Sequence, residues 1–280
     1  MSWLIFSLLF SFGFGQLFKW SQRCGCNAPT VVSTNYLVLA GILAVYYLIR
    51  GELVITMPIL KVGGITGVAF IISMLVMTRA LEIADVAAVL TAFRLSIVVP
   101  ILTSVWIWGE TVSTIQLIGL FLTFVSLVLM TRGNKEETKL AGLAALGLVV
   151  AIFSLQGFSH ATLGWVHYAG LDPQRQLVLL VISLIAGSLG AVYIALRRIK
   201  PRSRDLAMGA GIGLYNLVAL FLTLTALSKV SGTLFFSLQG CAVVMMDNFF
   251  AHYYWKEKLS RQAKIGALIG ALAMLLVLKK

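Results

Sequence analysis

Long apolar runs broken by short polar gaps set the pattern of this chain. Ten such runs can be drawn, over 3–19, 30–49, 59–78, 86–108, 114–130, 140–166, 177–196, 206–227, 233–254 and 263–278. Most approach the roughly 20 apolar residues that carry a helix through about 30 Å of hydrocarbon. The pattern therefore predicts an all-α integral membrane protein with ten transmembrane helices. The first run has no basic segment before it and reads as a retained helix rather than a cleaved signal. One long polar segment interrupts the series, Arg132-Gly-Asn-Lys-Glu-Glu-Thr-Lys139. It divides the chain into 1–132, a linker at 133–139, and 140–280.

Composition agrees with that class. The chain has 280 residues, of which 60% are hydrophobic and only 11% charged. A soluble domain of this length needs more polar surface. The net charge of +12 is accordingly not a nucleic-acid signal, because the basic residues cluster in the gaps between runs. Fifteen of the 22 Lys and Arg residues fall in the odd-numbered gaps, six in the even gaps and the C-terminal end, and Arg94 inside a run. Counted that way, the odd gaps face the cytoplasm. Cys24 and Cys26 form a C-x-C pair too close for an ordinary disulfide in helical backbone, and no set of nearby His or Cys completes a zinc site. No cofactor or metal is expected.

Two charges break the rule of apolar runs: Arg94 in the fourth and Asp247 in the ninth. An ionisable group at mid-membrane depth costs roughly 2.5–3.5 kcal/mol on insertion scales, so such groups face protein or a wet cavity. Arg94 offers a planar donor to a carboxylate or phosphate, and Asp247 a partner to an amine or a site for a proton. The two can hold the two ends of a zwitterion, or they can pair with each other. Thr91 shares a face with Arg94, and Ser237 and Gly240 share one with Asp247. Pro100 removes the hydrogen bond to the Ser96 carbonyl and should bend the fourth run.

Other polar stripes follow helical spacing. Gln156, His160 and His167 line one face of the sixth run, and two histidines so far apart cannot chelate one metal. His160 is either a relay or donor in a cavity or a histidine bonded to a neighbouring helix. Gly209, Gly213, Asn216 and Thr223 form a small and polar stripe on the eighth run, suited to a cavity wall or to a close helix crossing. Glu110 and Glu257 stand at the ends of the fourth and ninth runs, either as gate residues pairing with Lys or Arg or as solvated groups.

The two halves repeat one another. Trp108-Gly-Glu-Thr-Val-Ser113 matches Trp255-Lys-Glu-Lys-Leu-Ser260, and Ile118-Gly119 matches Ile265-Gly266 at the same offset. Thr78-Arg-Ala-Leu-Glu-Ile-Ala-Asp85 compares with Thr225-Ala-Leu-Ser-Lys-Val-Ser231. Five spans per half is odd, so the halves must enter the membrane from opposite sides as an inverted repeat.

These elements resemble the EamA group of the drug/metabolite transporter superfamily. The resemblance covers both halves. It implies two inverted five-helix repeats around a central cavity, and the export or exchange of amino acids, other metabolites, nucleotide sugars or drugs. It also implies termini in the cytoplasm, opposite to the Lys and Arg count. Two departures stand out: Lys256 replaces the glycine of the Gly-Glu element, and Asp247 stands near the equivalent of Pro100.

The expected function is a secondary transporter, not an enzyme. It would export a small polar or zwitterionic, amino-acid-like metabolite by alternating access from a bacterial inner membrane, with membrane lipids as neighbours and proton or counter-substrate coupling. The candidate substrate residues are Arg94, Asp247, His160, Gln156, Asn216, Thr91 and Ser237, with Pro100, Glu110 and Glu257 in gating. The alternative is a flippase of the same fold for a lipid headgroup or polyprenyl-linked substrate. An enzyme acting on such lipids would need clustered acids at the interface, and the sequence has none.

Overall fold

The computed structural model describes residues 2–83, 86–131, 143–254, 256 and 260–279. Helix dominates, with no strand among the described residues. The helices are α1 (Ser2–Arg23), α2 (Ala28–Arg50), α3 (Met57–Ile83), α4 (Val86–Leu95), α5 (Val98–Trp106), α6 (Thr114–Thr131) and α7 (Leu143–Tyr168). A 3-10 turn (Asp172–Gln174) leads into α8 (Arg175–Leu196), followed by α9 (Ser203–Leu227), α10 (Gly232–Tyr253) and α11 (Arg261–Leu278). Among the described residues, seven helices are long and apolar enough to cross a membrane, so the chain is a multi-pass membrane protein. Three shorter apolar stretches, Ala92–Trp106, Thr114–Leu129 and Lys264–Leu278, coincide with the remaining runs of the sequence. The polar segment at 133–139 lies outside the described residues.

The described helices sort into two compact units. One contains residues 1–78 and 162–229, the other 79–161 and 230–280. Each unit thus draws helices from both sides of the polar segment, so the grouping by packing is not the grouping by sequence half.

In the first unit, α2 packs against α8 and α9, and α1 packs against α9. Water cannot drive helices together inside a bilayer, so close backbone approach through small residues takes over. A Cβ placed on Gly209 would lie 2.6 Å from the Thr34 Cβ, and one on Gly213 only 2.7 Å from the Asn35 carbonyl oxygen. The N-termini of α2 and α9 are joined by polar bonds. Asn27 caps α2, its side chain accepting from the Thr30 N–H at 3.1 Å and the Thr30 hydroxyl at 2.8 Å. The buried Asp205 carboxylate accepts from the Asn27 N–H at 3.1 Å and the Arg202 N–H at 3.2 Å. One acid thereby satisfies a backbone donor at the start of each helix.

In the second unit, α6 and α11 cross antiparallel. Gly119, early in α6, faces Val277, late in α11, with a hypothetical Cβ 2.9 Å from the Val277 nitrogen. Ser126, late in α6, donates to the Gly266 carbonyl, early in α11, at 2.7 Å. The fourth run, read as one bent span, is broken into α4 and α5 at Ser96 and Ile97. Pro100 has no N–H to offer the Ser96 carbonyl. That oxygen accepts instead from Val99, one residue earlier, at 3.0 Å.

Replacing Gly213 by Val should therefore lower the stability of the folded protein by about 1–3 kcal/mol through overpacking. Gly211→Ala on the same helix has open space around the added Cβ and should leave stability unchanged. Thermal unfolding of the two variants in detergent checks the difference.

Candidate functional site

The break between α4 and α5 organises the second unit's polar residues. Arg94 occupies the last turn of α4, where helix carbonyls carry partial negative charge and favour a cation. Two glycines let neighbouring helices close on the break. A Cβ on Gly157 of α7 would lie 3.0 Å from the Ser96 carbonyl oxygen and 2.4 Å from Val99 Cγ2. One on Gly240 of α10 would lie 3.1 Å from Ile97 Cγ2. Helix α10 runs antiparallel to α4 and α5, which sets Asp247 beside Arg94.

The two charges meet. Arg94 Nη2 donates to Asp247 Oδ2 as an ion pair, with side-chain exposures of 25% and 17%. Of the two arrangements open at the level of sequence, direct pairing is the one present in this structure. The pair is neither fully sealed nor solvated. Removing one partner from a buried pair strands the other at a cost of about 3–5 kcal/mol, and partial exposure places this pair toward the lower end. Phe93 flanks it, its ring centroid 5.6 Å from the Arg94 guanidinium carbon.

On α7, Gln156 Nε2 lies 3.0 Å from His160 Nε2. An amide nitrogen can only donate, so this His160 nitrogen accepts and the ring proton belongs on Nδ1. The imidazole is therefore neutral in this arrangement. It lies edge-on to Phe236 at 6.2 Å between centroids. Arg94, Asp247, Gln156 and His160 thus belong to one unit, as do Ser237 and the buried Pro100. Ser237 turns to its own backbone, donating to the Thr233 carbonyl at 2.6 Å.

Asn216 does not join them. It lies in the first unit, buried in the α2–α9 contact, where its amide donates to Asn35 Oδ1 at 3.2 Å. The stripe of Gly209, Gly213 and Asn216 is thus a helix crossing. Buried amides paired this way hold two helices in register.

Glu110 makes a contact that sequence reasoning did not offer. Its carboxylate accepts from the Gly232 N–H at 2.6 Å and the Thr233 N–H at 2.8 Å, and from the Thr233 hydroxyl. These donors open α10, so Glu110 closes the positive end of that helix from a distant loop. It is not simply solvated. The side chain of Thr91 and the whole of Glu257 lie outside the described residues.

Two polar pairs escaped sequence reasoning. His167 Nδ1 lies 2.6 Å from Asp172 Oδ2 across the turn between α7 and α8, and Asp205 joins α2 to α9. The Asp172-Pro173 turn and the Asn27-Ala-Pro-Thr30 start were local signals for both. Among the described residues no group of three His, Cys, Asp or Glu could hold a metal.

No protein-family model matches this chain. An uncharacterized protein of Haemophilus influenzae is similar to it, 24% identical over 287 residues that cover 97% of this chain and 95% of the relative. A solved crystal structure is similar in fold, with a TM-score of 0.76 over 97% of each chain at 12% identity. That likeness concerns the fold alone.

Replacing Glu110 by Ala should cost about 1 kcal/mol, as lost helix caps do. The loss should be local: amide exchange in the first turn of α10 should accelerate, while exchange in α2 and α9 stays as it was. Hydrogen-exchange mass spectrometry on the intact protein reads both.

Proposed function

We propose that this chain is a secondary transporter of the EamA type, moving a small zwitterionic, amino-acid-like metabolite by alternating access. The observation that carries the reading is a charged pair at the break of a discontinuous helix. Membrane transporters build substrate sites where helix halves end within the bilayer and offer their terminal charge to ligands. Arg94 at the end of α4 has that position, and Asp247 brings the complementary sign. A substrate carboxylate can take Arg94 while the substrate amine takes Asp247. Exchange of an internal ion pair for two substrate pairs keeps both charges compensated at every stage.

The proposal includes ten spans in two inverted repeats around a central cavity. The W-x-E-x-x-S and Ile-Gly elements at one constant offset support it. So do the antiparallel crossings of repeat-related helices, α6 with α11 and the α4–α5 pair with α10. His160, in the same unit as Arg94, suits coupling to a proton or to a counter-substrate. Export across a bacterial inner membrane completes the reading, and no residue is assigned a catalytic role.

Uptake of radiolabelled amino acids into proteoliposomes tests it. Arg94→Ala and Asp247→Asn should each reduce transport to background while the purified protein still elutes as a folded species. Arg94→Lys should retain the charge but lose the planar fork, and so transport poorly. Unchanged uptake in both of the first two variants would remove the pair from the substrate path.

A further inference from the structure

In the second unit, one ring nitrogen has hydrogen-bonding capacity that the protein does not use. Gln156 and His160 stand one turn apart on α7, with their Nε2 atoms 3.0 Å apart. The amide nitrogen donates, so the lone pair of the imidazole Nε2 is taken and the ring proton sits on Nδ1. Neutral histidine in water favours the proton on Nε2, whereas in a fold the bond made by one ring nitrogen decides the state of the other. Gln156 thus selects the less common tautomer. Both residues belong to one helix, so the bond travels with α7 whatever its neighbours do.

The Nδ1–H is left over. Hydrogen bonding engages the His160 ring at Nε2 alone. Nδ1 is not among the buried polar atoms that lack a partner, so the donor is open, on a ring that is itself partly exposed. Two contacts fix where it stands. Gly157, three residues earlier on the same face of α7, is where that helix closes on the Ser96 carbonyl. The ring also lies edge-on to Phe236, one turn before Gly240, which closes on Ile97. Phe236 is 0% exposed and meets Phe235 edge-on at 5.2 Å, so it forms a fixed wall. His160 therefore stands about one turn from the break between α4 and α5. Along α10, Phe236 precedes Gly240 by four residues and Asp247 follows it by seven. The imidazole and the ion pair thus flank the break from opposite sides.

We propose that His160 is the specificity-determining donor of the substrate site, and that Gln156 is the residue that positions its proton. The proposal rests on the transport reading and narrows it. Arg94 and Asp247 take the carboxylate and the amine that all α-amino acids share, and the His160 Nδ1–H takes an acceptor on the side chain. The substrate class is then a zwitterion whose side chain carries an oxygen, as hydroxyl, amide or carboxylate. An aliphatic side chain strands the donor once it displaces water, and an unmet donor costs more than a met one gains. Taking up a proton at Nε2 requires Gln156 to turn its amide oxygen toward the ring, so the resting imidazole is a donor.

Two measurements on the full-length protein test it. Nitrogen NMR on isotope-labelled histidine, with H160N used to assign the ring, should show His160 with its proton on Nδ1, and Q156M should move that proton toward Nε2. Uptake into proteoliposomes is then compared for substrates of like shape, asparagine against leucine and threonine against valine. The unaltered protein should favour the oxygen-bearing member of each pair about tenfold, the worth of one hydrogen bond. H160N can place an amide nitrogen where Nδ1 stands and should keep the preference. H160Q reaches the Nε2 position instead and should lose it. Q156M should reduce it, raising KM for asparagine more than for leucine; if Q156M fails to fold, the contrast between H160N and H160Q decides. A proton on Nε2 in the unaltered protein, a tautomer indifferent to Q156M, or equal preference in H160N and H160Q would each overturn the proposal. Equal uptake of the paired substrates by the unaltered protein would overturn it while leaving the transport reading in place. No uptake of any amino acid would remove that reading, and this proposal with it.

Discussion

A charge in hydrocarbon must find its opposite, and here that demand is met by Arg94 and Asp247 across two helices. Much of the second unit can be understood as support for their meeting. Pro100 interrupts the fourth run so that α4 ends beside the guanidinium. Gly157 and Gly240 thin the neighbouring helices so that they can close on the break. Glu110 holds the start of α10, the helix that carries Asp247. The pair is costly to break singly, which makes it a stable resting contact. On the proposed transport reading, its partial exposure leaves a ligand a way to compete for each charge.

The first unit solves a different problem with similar means. Its α2–α9 contact relies on small residues, with one amide pair, Asn35 and Asn216, fixing the register of the two helices. Its strong polar interaction lies at a helix end, where Asp205 serves two starts at once. A rigid, closely packed α2–α9 contact and a second unit with a broken helix differ in what each can do. The broken helix can change its hydrogen bonds at Ser96 without disturbing a full ladder.

Much of this was legible in the chain, for physical reasons that differ residue by residue. Apolar runs are readable because the bilayer imposes a length, and every run has its helix or helix pair in the structure. The break in the fourth run follows from Pro100, whose missing N–H acts locally. Arg94 and Asp247 announce themselves by cost alone, although only coordinates show them paired. Asn216 was ambiguous because a cavity wall and a close crossing use the same small and polar residues. The distance from Gly213 to the Asn35 carbonyl decides for the crossing. Glu110 was opaque because its donors, Gly232 and Thr233, lie far along the chain on another helix, and no local pattern marks a cap supplied from such a distance.

A double replacement of the ion pair by apolar residues probes the central claim most directly, with stability and transport measured on the same preparations. Arg94→Met and Asp247→Leu alone should each destabilise the protein, because each strands a charge. Together they should restore its unfolding temperature while transport stays absent, since a well-packed apolar pair can replace buried ions but cannot bind a zwitterion. Full transport by the doubly replaced protein would contradict the account, as would single variants as stable as the unaltered chain.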